Sequence, residues 1–241
     1  MKIVCLIPAR YGSTRFPGKP LALIDGKPMI QHVAEQAHKA VSPAKVVVAT
    51  DDERISQVVK NCGFEAVITD AYHRSGTERC AQALDMLDED FDLVINIQGD
   101  EPFIDPQQID DLARLFDNDK VEIATLMLKT PAEKGLHNPN VVKVVTGTEG
   151  KALYFSRAPI PFPRDAADEA DSFFMKHIGI YAYRSCILKQ IVKLPPGTLE
   201  ETEKLEQLRW LENGFAIYVS ETFVESISVD TPEDLSKIIN R

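Results

Sequence analysis

Two groups of residues in this 241-residue sequence have the types and spacing that chemistry requires. The first is the segment PARYGSTRFPGKP, residues 8–20, in which Arg10, Arg15 and Lys19 are interleaved with Ser13, Thr14, Gly12 and Gly18. Cations together with the backbone N–H groups of a glycine-containing loop are what a polyanion such as a triphosphate needs. The alternative is a solvated loop with ordinary salt bridges, but a positive cluster is informative in a chain of formal charge −10. The loop is not a Walker motif: five residues separate Gly12 from Gly18, and Pro20 stands where a hydroxyl would hold magnesium. The dinucleotide pattern G-x-G-x-x-G is absent as well. A P-loop kinase or NTPase and a nicotinamide dehydrogenase are therefore disfavoured. The second group is Asp100, in LVINIQGDEP, and Asp230, in SISVDTP, each placed at the end of an apolar strand-like run. Two carboxylates at one sheet edge, facing a triphosphate loop, make an oxygen-ligand magnesium site completed by phosphate and water. Taken alone, Asp230 is equally an ordinary residue before a helix, where a negative charge favours the dipole.

The elements that must carry these residues alternate. Short apolar, β-branched runs at 2–8, 45–50, 65–69 and 93–97 read as strands, and apolar residues at helical spacing mark 28–40, 52–60, 76–87 and 106–116 as helices. Buried strands separated by amphipathic helices imply a doubly wound α/β fold with a mostly parallel sheet, whose ligands bind at the carboxyl edge. After residue 120 the rhythm changes, with strands at 122–128, 141–145, 152–155, 177–183 and 216–220 and helices at 185–193, 200–212 and 232–239. We expect antiparallel strands to complete the sheet beside a small extra subdomain, and residues 158–172, with the acidic stretch DAADEAD, to form a mobile surface loop. Ser75-Gly-Thr-Glu78 has capping-box spacing, and Thr231-Pro232 sets an N-cap hydroxyl before a helix-starting proline.

The composition, 44% apolar and 27% charged, is that of a soluble globular protein, and at this size folding removes roughly 70% of the unfolded chain's accessible surface. Net acidity argues against nucleic-acid binding, which needs a basic face. No apolar run approaches the ~20 residues of a membrane span. The opening MKIVCLIPAR reads as a first strand, not a signal peptide, so a cytoplasmic protein is expected. Cys5, Cys62, Cys80 and Cys186 have no metal-ligand spacing and read as free thiols.

Six ordered motifs, IPARYGSTRFPGKP, QGDEP, YFSR, HIGIYAYR, LEQLR and VDTPEDL, closely resemble the 3-deoxy-manno-octulosonate cytidylyltransferase (CMP-Kdo synthetase) family over essentially the full length. The resemblance implies a Rossmann-like nucleotidyltransferase domain over residues 1–241, with a nucleotide-binding half (1–120) and a sugar-binding and dimerisation half (121–241). It implies a homodimer that joins CTP to the acidic sugar Kdo with Mg2+, giving CMP-Kdo and pyrophosphate for lipopolysaccharide assembly. By the same resemblance Arg10, Ser13, Arg15 and Lys19 hold the triphosphate, Ser75 and Gly76 contact the nucleotide, and Asp100 and Asp230 bind the metal. Gln98, Arg157, Arg164, His177, Tyr181, Glu206 and Gln207 match the sugar pocket, with Gln98 also beside the nucleotide. The segment between Arg164 and His177 is short for the family. The chemistry of these types is apt: an arginine can clamp the sugar carboxylate, and His177, Tyr181, Glu206 and Gln207 can read hydroxyls. Each also has a plainer reading, His177 as packing at a strand start and Glu206 and Gln207 as solvated neighbours of the apolar face Leu205, Leu208 and Leu211. A sialic-acid or 8-amino-Kdo transferase and a non-catalytic binding homologue are the alternatives within the architecture.

Overall fold

The computed structural model describes residues 1–12, 16–164, 172–225 and 228–239. In chain order the first half contains β1 (Ile3–Ala9), β2 (Leu23–Ile24), β3 (Lys27–Pro28), α1 (Met29–Ala37), β4 (Lys45–Thr50), α2 (Glu53–Asn61), β5 (Glu65–Ile68), α3 (Gly76–Asp85), β6 (Leu93–Asn96) and α4 (Pro106–Arg114). The second half contains β7 (Ile123–Pro131), β8 (Lys143–Thr146), β9 (Ala152–Ser156), β10 (Phe173–Arg184), α5 (Ser185–Ile191), α6 (Thr198–Glu203), α7 (Gln207–Glu212), β11 (Ile217–Thr222) and α8 (Pro232–Ile239).

Among the described residues nine strands share one sheet, whose main path runs β11-β7-β10-β6-β1-β4-β5. The strand side-chain period of two divides β1 between two cores. Ile3, Cys5, Ile7 and Ala9 pack with α1, α2 and α4 on one face, whereas Val4 and Leu6 pack with α3, α5 and α7 on the other. This is the doubly wound arrangement, and it explains why β1 is a continuous apolar run. β1 pairs in parallel with both β4 and β6, so the chain winds in opposite directions from it, and the crevice beyond β1 and β6 is a topological switch point.

The second half differs from its expected form in two ways. β7 and β11 run parallel to each other, and on the main path only β10 is antiparallel, pairing with β6 on one side and β7 on the other. The β8–β9 pair branches from β10. Strands joined by turn material alone suggested antiparallel neighbours, but β7 pairs with β11, which follows it only after β8–β10 and three helices. The helix expected over 200–212 is broken: Lys204 adopts a left-handed conformation (φ 54°) and its N–H is bonded to the Glu200 carbonyl, ending α6 before α7 begins. Most of the expected surface loop, residues 165–171, lies outside the described residues. Among the described residues no helix is long and apolar enough to cross a membrane.

Candidate active site

Three segments close on one another at the switch point. The end of β1 (Pro8, Ala9, Arg10), the turn after β6 (Gln98, Gly99, Asp100) and the start of α3 (Ser75, Gly76) line one open cleft, joined by Lys19 and Asp230. Their approach is so close that side chains are excluded. A Cβ on Gly99 would lie 2.8 Å from the Pro8 carbonyl oxygen, and one on Gly76 would lie 3.0 Å from the Pro8 ring. Gly76 is therefore chosen for space, and Ser75 before it for capping: its hydroxyl accepts from the Glu78 N–H at 3.2 Å. The reciprocal half of the expected box is displaced by one residue, with the Glu78 carboxylate accepting from the Arg74 N–H at 2.7 Å.

Asp100 and Asp230, separated by 130 positions, converge on the same group. The Lys19 ammonium donates to Asp100 Oδ2 at 2.6 Å and to Asp230 Oδ1 at 3.4 Å. Two local devices produce this meeting. Val229 is fully buried against Ile24 and Met29, and its N–H donates to the Asp100 carbonyl at 2.9 Å, so the chain entering α8 is fastened to the turn after β6. The Thr231 hydroxyl then accepts from the Asp234 N–H, and the Asp234 carboxylate accepts from the Thr231 N–H, a cap that sets the start of α8. On the other side, Gly18 (φ 72°) donates its N–H to the Tyr11 carbonyl and closes the loop, and the short 3-10 turn Lys19–Leu21 carries Lys19 into the cleft.

Arg10 is exposed at the mouth of the cleft; Ser13 and Arg15 lie outside the described residues. Two further cations that line the cleft escaped the sequence reading, Arg74 and Arg79. Arg79 is buried, with Nη1 bonded to Thr69 Oγ1 at 2.6 Å and Nη2 paired with Asp51 at 2.8 Å. The signal was available, since both belong to the HRSGTER stretch, and Arg79 lies one helical turn beyond Ser75.

The residues expected to meet a sugar are placed in different ways. Glu206 bridges to α3: Ser75 and Thr77 each donate a hydroxyl to it at 2.7 Å. Burial pushes its carboxyl above the usual carboxylate range, and those two hydrogen bonds oppose the shift. Gln207 follows, buried at the start of α7. His177 and Tyr181 belong to an aromatic wall, with rings 5.4 Å apart; His177 meets Phe155 edge-on, and Tyr181 meets Trp210 edge-on. Thr125 Oγ1 lies 2.7 Å from the Ile180 carbonyl and 3.1 Å from His177 Nε2. With its one hydrogen given to the carbonyl, Thr125 accepts from an Nε2–H, which fixes that tautomer. Arg157 is different. Its guanidinium is taken up by the backbone carbonyls of Pro139, Glu203 and Lys204, and its own carbonyl accepts from the buried Lys143 ammonium. In this conformation it fastens the end of β9 to the α6–α7 junction. Arg164 is exposed at the edge of the described segment.

Burial holds the His177 imidazole neutral by lowering its pKa from 6.5 to about 3. The unfolded chain protonates this ring near pH 6.5 and the folded chain does not, so the native state binds fewer protons across that window and loses stability as pH falls from 6.5 towards 3. We expect His177→Phe to flatten this acid limb in denaturation curves recorded between pH 4 and pH 7. An NMR titration that found the ring charging near pH 6 would contradict the assignment.

A turn closed by Gly18 that carries Lys19 beside Arg10, two converging carboxylates and a cleft at the β1/β6 switch point have the features of a nucleotidyltransferase. The comparisons with known proteins specify which. Residues 4–233 match the family described as Cytidylyltransferase. Two relatives named 3-deoxy-manno-octulosonate cytidylyltransferase, from Cytophaga hutchinsonii and Thermodesulfovibrio yellowstonii, are each 50% identical, and the alignments cover 99% and 98% of this chain and 96% of each relative. A CMP:2-keto-3-deoxy-manno-octonic acid synthetase solved in complex with CTP superposes with a TM-score of 0.93 at 43% identity, covering 100% of this chain and 98% of that one. A glucose-1-phosphate thymidylyltransferase structure from Bacillus anthracis, at 19% identity and a TM-score of 0.67, shares the fold. The chain belongs to the 3-deoxy-manno-octulosonate cytidylyltransferase family.

Proposed function

We propose that this protein transfers CMP from CTP to Kdo, releasing pyrophosphate and supplying CMP-Kdo for lipopolysaccharide assembly. The anomeric hydroxyl of the sugar attacks the α-phosphorus in line, the bond between the α-phosphorus and the bridging oxygen breaks, and that oxygen leaves with the pyrophosphate. The observation that carries this reading is the convergence of Asp100 and Asp230 on one cationic group inside a cleft that also holds Arg10.

The donor set suits magnesium. Both groups are hard carboxylate oxygens that already bracket a positive charge, and among the described residues no cluster of three His, Cys, Asp or Glu side chains forms a closed metal cage. Asp100 and Asp230 would hold the ion, leaving its other positions to phosphate oxygen and water. When bound, magnesium supplies Lewis-acid stabilisation of phosphoryl charge and lowers the pKa of the incoming hydroxyl. Arg10 and Lys19 orient the triphosphate and balance the charge that grows on pyrophosphate. Gln98, Ser75 and Gly76 border the nucleotide, while His177 and Tyr181 form an apolar, hydrogen-bonding wall for the sugar, and Glu206 and Gln207 present polar groups to it. In this reading residues 1–120 serve the nucleotide and residues 121–241 serve the sugar and a second copy of the chain, in the cytoplasm.

A pyrophosphate-release assay crossing the four nucleoside triphosphates with Kdo, its 8-amino analogue and sialic acid tests this directly. Release is expected with CTP and Kdo and with no other pairing. Release confined to the amino analogue or to sialic acid reassigns the sugar, and nucleoside diphosphate as product excludes cytidylyl transfer.

A further inference from the structure

The Lys19 ammonium occupies the point on which Asp100 and Asp230 converge, 2.6 Å from one carboxylate and 3.4 Å from the other. Its reach is limited. Lys19 begins a 3-10 turn whose next residue, Pro20, is buried, the preceding Gly18 is bonded to Tyr11, and the Lys19 side chain is only 14% exposed. An ammonium has three donors and no acceptor, so it can only share these oxygens with a metal by competing for them. The Lys19 charge already offsets part of the pair's negative charge, and a divalent ion entering beside it would sit against a like charge at contact distance.

We infer that Lys19 is the resident counter-ion of the Asp100/Asp230 pair in the nucleotide-free enzyme, so that a divalent metal gains these carboxylates only as the triphosphate arrives. The inference rests on the proposed metal role of the two aspartates and adds an order of assembly to it. A triphosphate entering between Arg10 and Lys19 offers the ammonium a more negative partner within the same cleft. As the ammonium turns to the phosphate oxygens, Asp100 Oδ2 would become available to hold a divalent ion. Metal and nucleotide then bind cooperatively, and each raises the affinity for the other by the same factor. The pair is also kept from capturing a metal without substrate.

The test is Mn2+ binding to the full-length protein without nucleotide, read from the loss of the free-ion EPR signal, which requires no turnover. Wild type is expected to bind weakly. Lys19→Gln and Lys19→Met, each removing the charge, should bind Mn2+ at least tenfold more tightly, whereas Lys19→Arg should stay near wild type. Adding Asp100→Asn to Lys19→Gln should abolish the gain. If neither neutral variant tightens Mn2+ binding while Asp100→Asn weakens retention of the Mn2+–CTP complex, the counter-ion role is wrong and the metal site stands. If the double variant binds as tightly as Lys19→Gln, the aspartates are not the metal site, and both readings fall. Two neutral variants of different length keep the result decisive should one of them fold poorly.

Discussion

Asp100→Asn is expected to lower turnover by about 10³-fold, roughly 4 kcal/mol of transition-state stabilisation, with the fold intact. The substitution keeps the shape of the side chain and removes the charge that would hold a metal against the innermost phosphate. Little else depends on it. The side chain is 27% exposed, and Lys19 keeps Asp230 as a partner. The tie that fastens the start of α8 to this turn runs through the Asp100 main-chain carbonyl and the Val229 N–H, which the substitution leaves untouched. Partly exposed ion pairs of this kind contribute about 0–1 kcal/mol, so the melting temperature and circular dichroism should remain close to wild type. The pair of measurements is what matters. A variant that is folded and inactive supports a chemical role; a variant that turns over normally removes Asp100 from the reaction.

The site was legible in the sequence where strand ends determined it. Asp100 follows β6 by a short turn, and in a doubly wound sheet such a residue emerges at the ligand edge; Asp230 follows coil at 228–229, not the expected strand, and reaches the same edge through the Val229 N–H bond to the Asp100 carbonyl. The first half was legible for the same reason: the expected strand at 45–50 coincides with β4, because strands buried on both faces have little freedom in their boundaries. What the sequence concealed was set by tertiary partners. Arg157 is a cation of the right type for a carboxylate, yet three carbonyls from two other segments take up its guanidinium. Lys204 has no sequence mark of a helix end; α6 stops there in a left-handed residue, next to Glu203, whose carboxylate accepts from Ser156 Oγ and the Arg157 N–H of another segment. Lys143 is fully buried and donates to the carbonyls of Asn138, Val141 and Arg157, an arrangement invisible until β8 and β9 are paired. Glu206 combines both cases. The sequence placed it within an amphipathic helix, but its position at the start of α7 and its bridge to Ser75 and Thr77 depend on the break at Lys204 and on α7 packing against the same face of the sheet as α3.

Trp210→Ala should be the most destabilising single change among the residues that shape the site. Trp210 is 1% exposed and meets the Tyr181 and Tyr183 rings edge-on at 5.2 and 5.5 Å. Deleting a buried indole costs about 3–5 kcal/mol, which in a chain of this size lowers the melting temperature on the order of 10 °C. The loss should also be directional. Trp210 lies on α7 and packs against Tyr181, whereas Lys19, Asp100 and Asp230 are positioned by the Gly18–Leu21 turn, the turn after β6 and the Val229 cluster. In Trp210→Ala, measured below its melting transition, KM for the sugar should rise by about tenfold or more while KM for CTP changes by less than about threefold, because only the wall proposed for the sugar has lost its backing. Trp210→Phe, which keeps an aromatic ring there, should recover most of both losses. An equal rise in the two KM values would mean that the aromatic wall supports the cleft as a whole and does not discriminate between its substrates, and the assignment of His177 and Tyr181 to the sugar would lose its physical basis.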